Sequence, residues 1–151
     1  MSSLPIVYVT KRLQFSAAHR LYSHTLSEEE NDTLYGKCAR VNGHGHNYVV
    51  KATVRGPVDN TTGMVMNIVA LKSAMEESIM KPLDHRNLDK DVPFFKDKVS
   101  TTENLAVFIW GGLKRALGSH DAELLYEVCV QETENNVFTY RGEVAMDSSS
   151  H

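Results

Sequence analysis

Residues 41–55, VNGHGHNYVVKATVR, run two histidines straight into an apolar alternation. From His46 the pattern has a period of two. His46, Tyr48, Val50, Ala52 and Val54 fall on one face, and Asn47, Val49, Lys51, Thr53 and Arg55 on the other. This predicts a strand over 46–55 with one apolar side. His44 and His46 are two apart, so in an extended chain both imidazoles leave the same face, the spacing at which two nitrogens can meet one metal ion. Gly43 and Gly45 remove side chains that would crowd such a site. The competing reading is two unrelated surface histidines at a loop tip.

Working outward, residues 6–17 (IVYVTKRLQFSA) are rich in β-branched and aromatic residues and predict a strand ending near His19. Residues 56–63 (GPVDNTTG) form a turn cluster. From Asn67 the period becomes helical. Ile68, Leu71, Met75 and Ile79 share a stripe, with Asn67 as N-cap and Pro82 as terminator. A second helix starts at Ser100, which has capping-box spacing to Glu103. Its stripe is Leu105, Ile109, Leu113, Ala116 and Leu117, and Gly118 is its stop. Gly111 and Gly112 fall inside it and imply close helix packing or a local break. Residues 123–132 and 137–141 read as two strands joined by the turn TENN.

The order strand, strand, helix, helix, strand, strand predicts an α+β fold: one antiparallel sheet with both helices on one face. Val, Tyr and Ala alternate on the other face too, which predicts burial by a second subunit. The chain reads as one domain over 1–146, with 147–151 as a disordered tail.

The chain has 151 residues, 42% hydrophobic and 23% charged, and a net charge of −3. These values fit a globular protein and give no basic surface for nucleic acid. No apolar run reaches the roughly 20 residues needed to span a bilayer, and the N-terminus lacks a signal-peptide pattern. Two cysteines make no disulfide framework, so the expected compartment is reducing and cytoplasmic.

His19, at the end of the first strand, is the candidate third ligand, since catalytic zinc takes three protein ligands plus water or substrate. His24 and His120 stand among polar residues and read as solvent-exposed. Cys38 precedes the histidines as C-x5-H-G-H. It is either a fourth ligand closing a structural zinc site of one cysteine and three histidines, or a thiolate base beside an open one. Asp84 and His85 are either a carboxylate–imidazole pair that relays a proton or a helix-terminus ion pair. Glu132 is either a solvated loop carboxylate or the anchor of a ligand with paired N–H donors. Cys129 continues a strand alternation and reads as a small core residue.

Seven segments together resemble the 6-pyruvoyl-tetrahydropterin synthase family: FSAAHRLYS (15–23), YGKC (35–38), NGHGHNY (42–48), TGMVMN (62–67), PLDHRNLDKDV (82–92), STTENLAVFIW (100–110) and ETENNVFTYRGE (132–143). They span nearly the whole chain in the family's order. The resemblance implies the tunnelling fold, with subunits forming a barrel and two trimers stacking into a homohexamer. It implies zinc on His19, His44 and His46, with Cys38 as the catalytic thiol, Asp84 and His85 as its relay partners from a neighbouring subunit, and Glu132 as the pterin anchor. The implied substrate is 7,8-dihydroneopterin triphosphate, converted to 6-pyruvoyl-tetrahydropterin and triphosphate, with Mg2+ as a candidate assistant. Lys37, Arg12 and His24 are weaker candidates for the triphosphate.

The nearest rival is the sister branch of 6-carboxy-tetrahydropterin synthases on the queuosine route, which the C-x5-H-G-H spacing disfavours. A non-catalytic protein whose structural zinc is held by Cys38 and three histidines is the rival from another class.

Overall fold

The computed structural model describes residues 3–147. Apart from Asp147, the predicted tail therefore lies outside the described residues. Two long strands, β1 (Ile6–His19) and β2 (His44–Pro57), form the spine of the sheet. They pair antiparallel without a break from Ile6 opposite Pro57 to His19 opposite His44. A two-residue strand, β3 (Arg86–Asn87), lies parallel to Ala17 and Ala18 of β1. Strand β4 (Leu125–Thr133) pairs with β2, and β5 (Asn136–Tyr140) with β4, both antiparallel, which gives the order β3-β1-β2-β4-β5.

The side-chain parity read from 46–55 holds. Tyr48, Val50, Ala52 and Val54 are all fully buried, and β1 contributes Phe15 and Ala17 beside them. Phe15 and Tyr48 stack with ring centroids 5.0 Å apart, at paired positions of the ladder. Full burial of a side chain such as Leu or Phe is worth roughly 1.5–3 kcal/mol, so this shared face is the main source of cohesion.

Two short helices lie where no apolar stripe predicts them. Helix α1 (Glu28–Tyr35) opens with a full capping box between Ser27 and Glu30. A 3-10 turn, Gly36–Ala39, follows it and carries Cys38. The other short helix, Leu88–Asp91, follows β3 with Asn87 as its cap and is α4 in chain order.

Longer helices cover the apolar face. Helix α2 (Ile68–Met75) starts where predicted, with the Asn67 side chain accepting from the Val69 N–H at 2.9 Å. It continues through a π-helical turn, Glu76–Met80, into α3 (Lys81–Leu83), so Pro82 sits inside the last turn and the chain leaves at Asp84. Leu71, Met75, Ile79 and Leu83 are buried, whereas Ile68 is exposed. The long α5 (Thr102–Ala122) buries Leu105, Ala106, Ile109 and Leu113. Its N-cap is Thr101, not Ser100, because the Thr101 hydroxyl accepts from the Asn104 N–H. Gly118, at φ 81°, breaks the helix where the stop is predicted. Ala116, placed on the apolar stripe by its spacing, is exposed.

The glycine pair has separate explanations. A Cβ on Gly112 would stand 3.1 Å from the Cβ of Ser78, so this glycine lets α5 close on the π-helical turn. A Cβ on Gly111 would meet only the guanidinium of Arg115, at 3.4 Å. Gly112→Leu is expected to destabilise the protein by about 1–3 kcal/mol through overpacking. Gly111→Ala is expected to stabilise it by about 0.5–1 kcal/mol. Thermal unfolding of the two variants distinguishes these signs; equal shifts would refute the close-packing explanation.

The opposite face of the sheet corrects an expectation. It is largely polar rather than apolar, with Thr10 bonded to Thr53 (2.7 Å), Ser16 to Asn47 (2.6 Å), Arg55 to Tyr8 (2.9 Å) and Arg141 to Glu127 (2.9 Å). Cys129 lies on this side, since Val128 and Val130 take the inward positions, and it is only half-buried.

Candidate metal centre and active site

The β1–β2 register places His19 directly opposite His44 and Ala17 opposite His46. All three imidazoles therefore leave the inward face at one end of the sheet, where one nitrogen of each lies within 4.8 Å of the others. Gly43 makes the approach possible. It stands at φ 71°, and a Cβ there would come 2.8 Å from the carbonyl oxygen of His19. Gly45 is less constrained, with the nearest atom to its would-be Cβ at 3.4 Å.

His19 is almost fully buried, and its Nδ1 donates to the Ser100 carbonyl at 2.7 Å. A backbone carbonyl accepts only, so the proton sits on Nδ1 and the Nε2 lone pair points into the cluster. That Nε2 is buried and has no hydrogen-bond partner. An orphaned acceptor facing two further imidazoles matches the donor set of a divalent-metal site, and the carbonyl behind His19 is the usual orienting partner of such a ligand. Burial, followed by mutual repulsion within the cluster, pushes the pKa of His19 and His44 below the usual histidine value. Both effects favour the neutral, metal-ligating form.

Glu132 occupies the adjoining position. The β4–β5 register shifts between Gln131 and Thr133, which leaves Glu132 out of the regular ladder. One carboxylate oxygen stands 3.9 Å from His46 Nε2, and the other accepts a short hydrogen bond from the Thr102 hydroxyl. Thr102 is buried at the start of α5 and fixes the carboxylate's orientation. Tyr48 lies beneath, its ring 5.5 Å from that of His46. Burial first, then the charge of Glu132, pushes the Tyr48 hydroxyl well above its usual pKa and keeps it neutral.

Asp84 and His85 do form a pair, with Asp84 Oδ2 2.9 Å from His85 Nδ1. The other oxygen accepts from the Ser16 N–H at 3.0 Å, which holds the Asp84 carboxyl below its usual pKa, helped by His85. His85 adopts a left-handed backbone (φ 61°), fixed by its N–H donating to the Ser16 carbonyl at 2.6 Å. Its ring is exposed and shares a cavity of about 450 Å³ with His46, Gly45 and Asn47.

Cys38 is half-buried on its 3-10 turn. That turn is fastened to the residues just after His19: the Cys38 carbonyl accepts from the Leu21 N–H (2.8 Å), and the Ala39 carbonyl from Arg20 Nε (2.7 Å). Among the described residues the group that could hold a metal ion is His19, His44 and His46, without Cys38. Within one chain Cys38 makes no hydrogen bond to Asp84 or His85 among the described residues. His24 and His120 are exposed, as read from the sequence.

Sequence reasoning misses the supports of this site. Thr102 reads only as part of a helix start. Ser100 reads as a cap, yet its contribution is the carbonyl that orients His19. Asp89, which accepts from the Arg20 N–H at 2.7 Å, carries no signal of its own.

The profile of the 6-pyruvoyl tetrahydropterin synthase family matches residues 8–143. The chain belongs to this family. It is 58% identical over 135 residues to the human 6-pyruvoyl tetrahydrobiopterin synthase, covering 89% of this chain and 91% of that protein. It is 55% identical over 142 residues to the Drosophila melanogaster protein of the same name, covering 94% and 83%. The solved Caenorhabditis elegans 6-pyruvoyl tetrahydropterin synthase superposes with a TM-score of 0.90 at 48% identity, covering 95% of this chain and 100% of that one. A Plasmodium vivax 6-pyruvoyl tetrahydropterin synthase structure, at 20% identity and a TM-score of 0.70, covers 93% of this chain and 99% of its own and shares the fold. The sheet and helices are therefore those of the 6-pyruvoyl tetrahydropterin synthase fold. No helix among the described residues is long and apolar enough to cross a membrane.

Proposed function

We propose that this single-domain chain (1–146) is a zinc-dependent lyase. It converts 7,8-dihydroneopterin triphosphate to 6-pyruvoyl-tetrahydropterin and triphosphate, in the tetrahydrobiopterin route of a reducing cytoplasm. The observation that carries the reading is Glu132 beside an open three-imidazole cluster, in a chain of this family. The reaction needs no external redox partner. Triphosphate leaves from C3′, which becomes a methyl as C2′ becomes a ketone. The two electrons released when C1′ becomes a ketone pass to the dihydro ring.

Each residue has a role in that chemistry. The Glu132 carboxylate, oriented by Thr102, accepts the paired N–H donors of the amino-pyrimidine edge through charge-assisted hydrogen bonds. His19, His44 and His46 hold the ion, with the Ser100 carbonyl fixing the His19 tautomer. Bound there, zinc supplies positive charge that makes the side-chain hydroxyls and their neighbouring C–H groups more acidic. Cys38, as thiolate, takes the protons from carbon, and His85 held by Asp84 sets its protonation state. Asp84 and His85 serve the Cys38 of a neighbouring subunit in a homohexamer, a dimer of trimers. This arrangement accounts for a relay pair that makes no hydrogen bond to the thiol of its own chain. Mg2+, where bound to the substrate's triphosphate, would supply charge neutralisation for its departure.

Incubation with 7,8-dihydroneopterin triphosphate is expected to release triphosphate and form the diketone, and a chelator is expected to abolish both. A product bearing a carboxylate in place of the three-carbon side chain would instead establish the 6-carboxy-tetrahydropterin branch. No turnover by zinc-loaded protein would overturn the assignment.

A further inference from the structure

Tyr48 aside, the polar residues buried among the described residues are His19, Asn31, Ser78, Ser100 and Thr102. His19, Ser100 and Thr102 belong to the metal centre and its supports, and Ser78 packs against Gly112. Asn31 stands apart from them, on α1, with no exposed surface. It is the one buried residue of that helix, where even Leu34 is exposed. Helix α1 therefore has no apolar face with which to dock, and a single amide takes that place.

Both ends of the Asn31 amide are engaged. Its Oδ1 accepts from the Ser23 N–H at 2.7 Å, and its Nδ2 donates to the Ser23 and Ser27 carbonyls, each at 2.9 Å. Ser23 is thus gripped through its donor and its acceptor at once. Aspartate cannot donate, leucine can do neither, and glutamine carries the amide one methylene too far.

Ser23 lies in the segment that leaves β1 at His19. That segment meets the helix and its following 3-10 turn at three places: Ser23 at Asn31, the Leu21 N–H at the Cys38 carbonyl (2.8 Å), and Arg20 Nε at the Ala39 carbonyl (2.7 Å). Two of these lie on the turn that carries Cys38, and only Asn31 lies on the helix. Contacts at the turn alone set its distance from His19 but leave α1 free to tilt about it. The Asn31 clamp removes that tilt, so the direction of the Cys38 sulfur is tied to the strand end that carries His19.

We propose that Asn31 is a positioning residue for the Cys38 thiol, holding α1 and its 3-10 turn at one orientation to the metal centre; the thiol's chemical part rests on the lyase reading. Asn31 makes no hydrogen bond to the three imidazoles or to Glu132 among the described residues. It acts on turnover through Cys38 alone and leaves the imidazoles, set by the β1–β2 ladder, where they are.

The test uses zinc-loaded Asn31→Leu and Asn31→Asp, the second of which keeps the acceptor for the Ser23 N–H. Both are expected to lower kcat for dihydroneopterin triphosphate by about 10- to 100-fold, the upper figure being the usual effect of moving a reacting group by about 1 Å. KM and zinc content are expected to match the parent. Ser27→Ala is the control: it removes the side-chain cap of α1 and melts earlier, yet leaves the clamp intact, so its kcat is expected to be that of the parent. Parent-like kcat in the Asn31 variants, loss of zinc along with kcat, or an equal fall in Ser27→Ala would each overturn the proposal. Should Asn31→Leu fail to fold, Asn31→Asp decides by the same criteria.

A second readout is independent of the lyase reading. Alkylation of Cys38 by iodoacetamide, followed by peptide mass spectrometry, is expected to be faster with zinc than without it in the parent, because a nearby dication favours the thiolate. In the Asn31 variants zinc is expected to change the rate little. A zinc response in the parent that is lost in the variants, without turnover in any of them, would refute the lyase and leave the positioning role standing. Turnover in the parent with the zinc response intact in the variants would do the reverse. A parent whose Cys38 ignores zinc would put the sulfur out of the ion's reach and overturn the proposal.

Discussion

Replacing Cys38 by alanine is expected to leave one metal ion per chain and to lower turnover by a factor of about 10²–10⁴, the usual range for removal of a general base. The reason is positional. Cys38 lies outside the three-histidine ligand group among the described residues, yet its 3-10 turn is bound to the backbone directly after His19. On the proposed reading, a sulfur so placed would act beside the ion without completing its coordination. Metal analysis and turnover measured on the same preparation check both halves. Loss of the metal would make Cys38 a ligand and turn the site into the closed structural alternative. Near-normal turnover would remove the thiol from the chemistry. Cobalt substitution adds a spectroscopic check, since the ligand-free protein is expected to lack strong thiolate-to-metal charge transfer.

His46→Ala is expected to have the other large effect. Removing one of three protein ligands should weaken metal binding by more than about 100-fold, the upper end of what loss of even an orienting partner costs. Turnover should fall with it. His46 also neighbours Glu132 at 3.9 Å, so added zinc is expected to restore little activity. Elemental analysis after dialysis reads the outcome, and full metal content would contradict the ligand set. Folding should survive, because the buried row Tyr48, Val50, Ala52 and Val54 holds β2 in place independently.

How much of this is legible in the sequence depends on how local each signal is. The β1–β2 pair is readable because alternation over 46–55 specifies which face is buried, and face fixes histidine direction. The helices are readable from their period, but their ends are not. Thr101 and Ser100 are both competent caps, and it is the Thr101 hydroxyl that accepts from the Asn104 N–H, while the Ser100 carbonyl accepts from His19. Helix α1 escapes notice although Ser27 and Glu30 advertise a capping box, because its acidic, weakly apolar sequence carries no stripe. Strand β3 has two residues and exists only through pairing with β1, so no local pattern announces it. Alternation alone assigns Cys129 to the core, but the parity of its neighbours turns it outward.

In the site, pattern alone brings His19, His44 and His46 together correctly, and the Asp84–His85 pair forms as read. Glu132 is not derivable from its surroundings, since its position depends on a register irregularity and on Thr102, distant in sequence at the start of α5.

The unbroken β1–β2 ladder carries a final implication. Sliding one strand by a single residue would keep most backbone hydrogen bonds yet send His19 through the sheet, away from His44 and His46. The alignment that buries Tyr48, Val50, Ala52 and Val54 is therefore the same one that gathers the three imidazoles, so core and site share a single register.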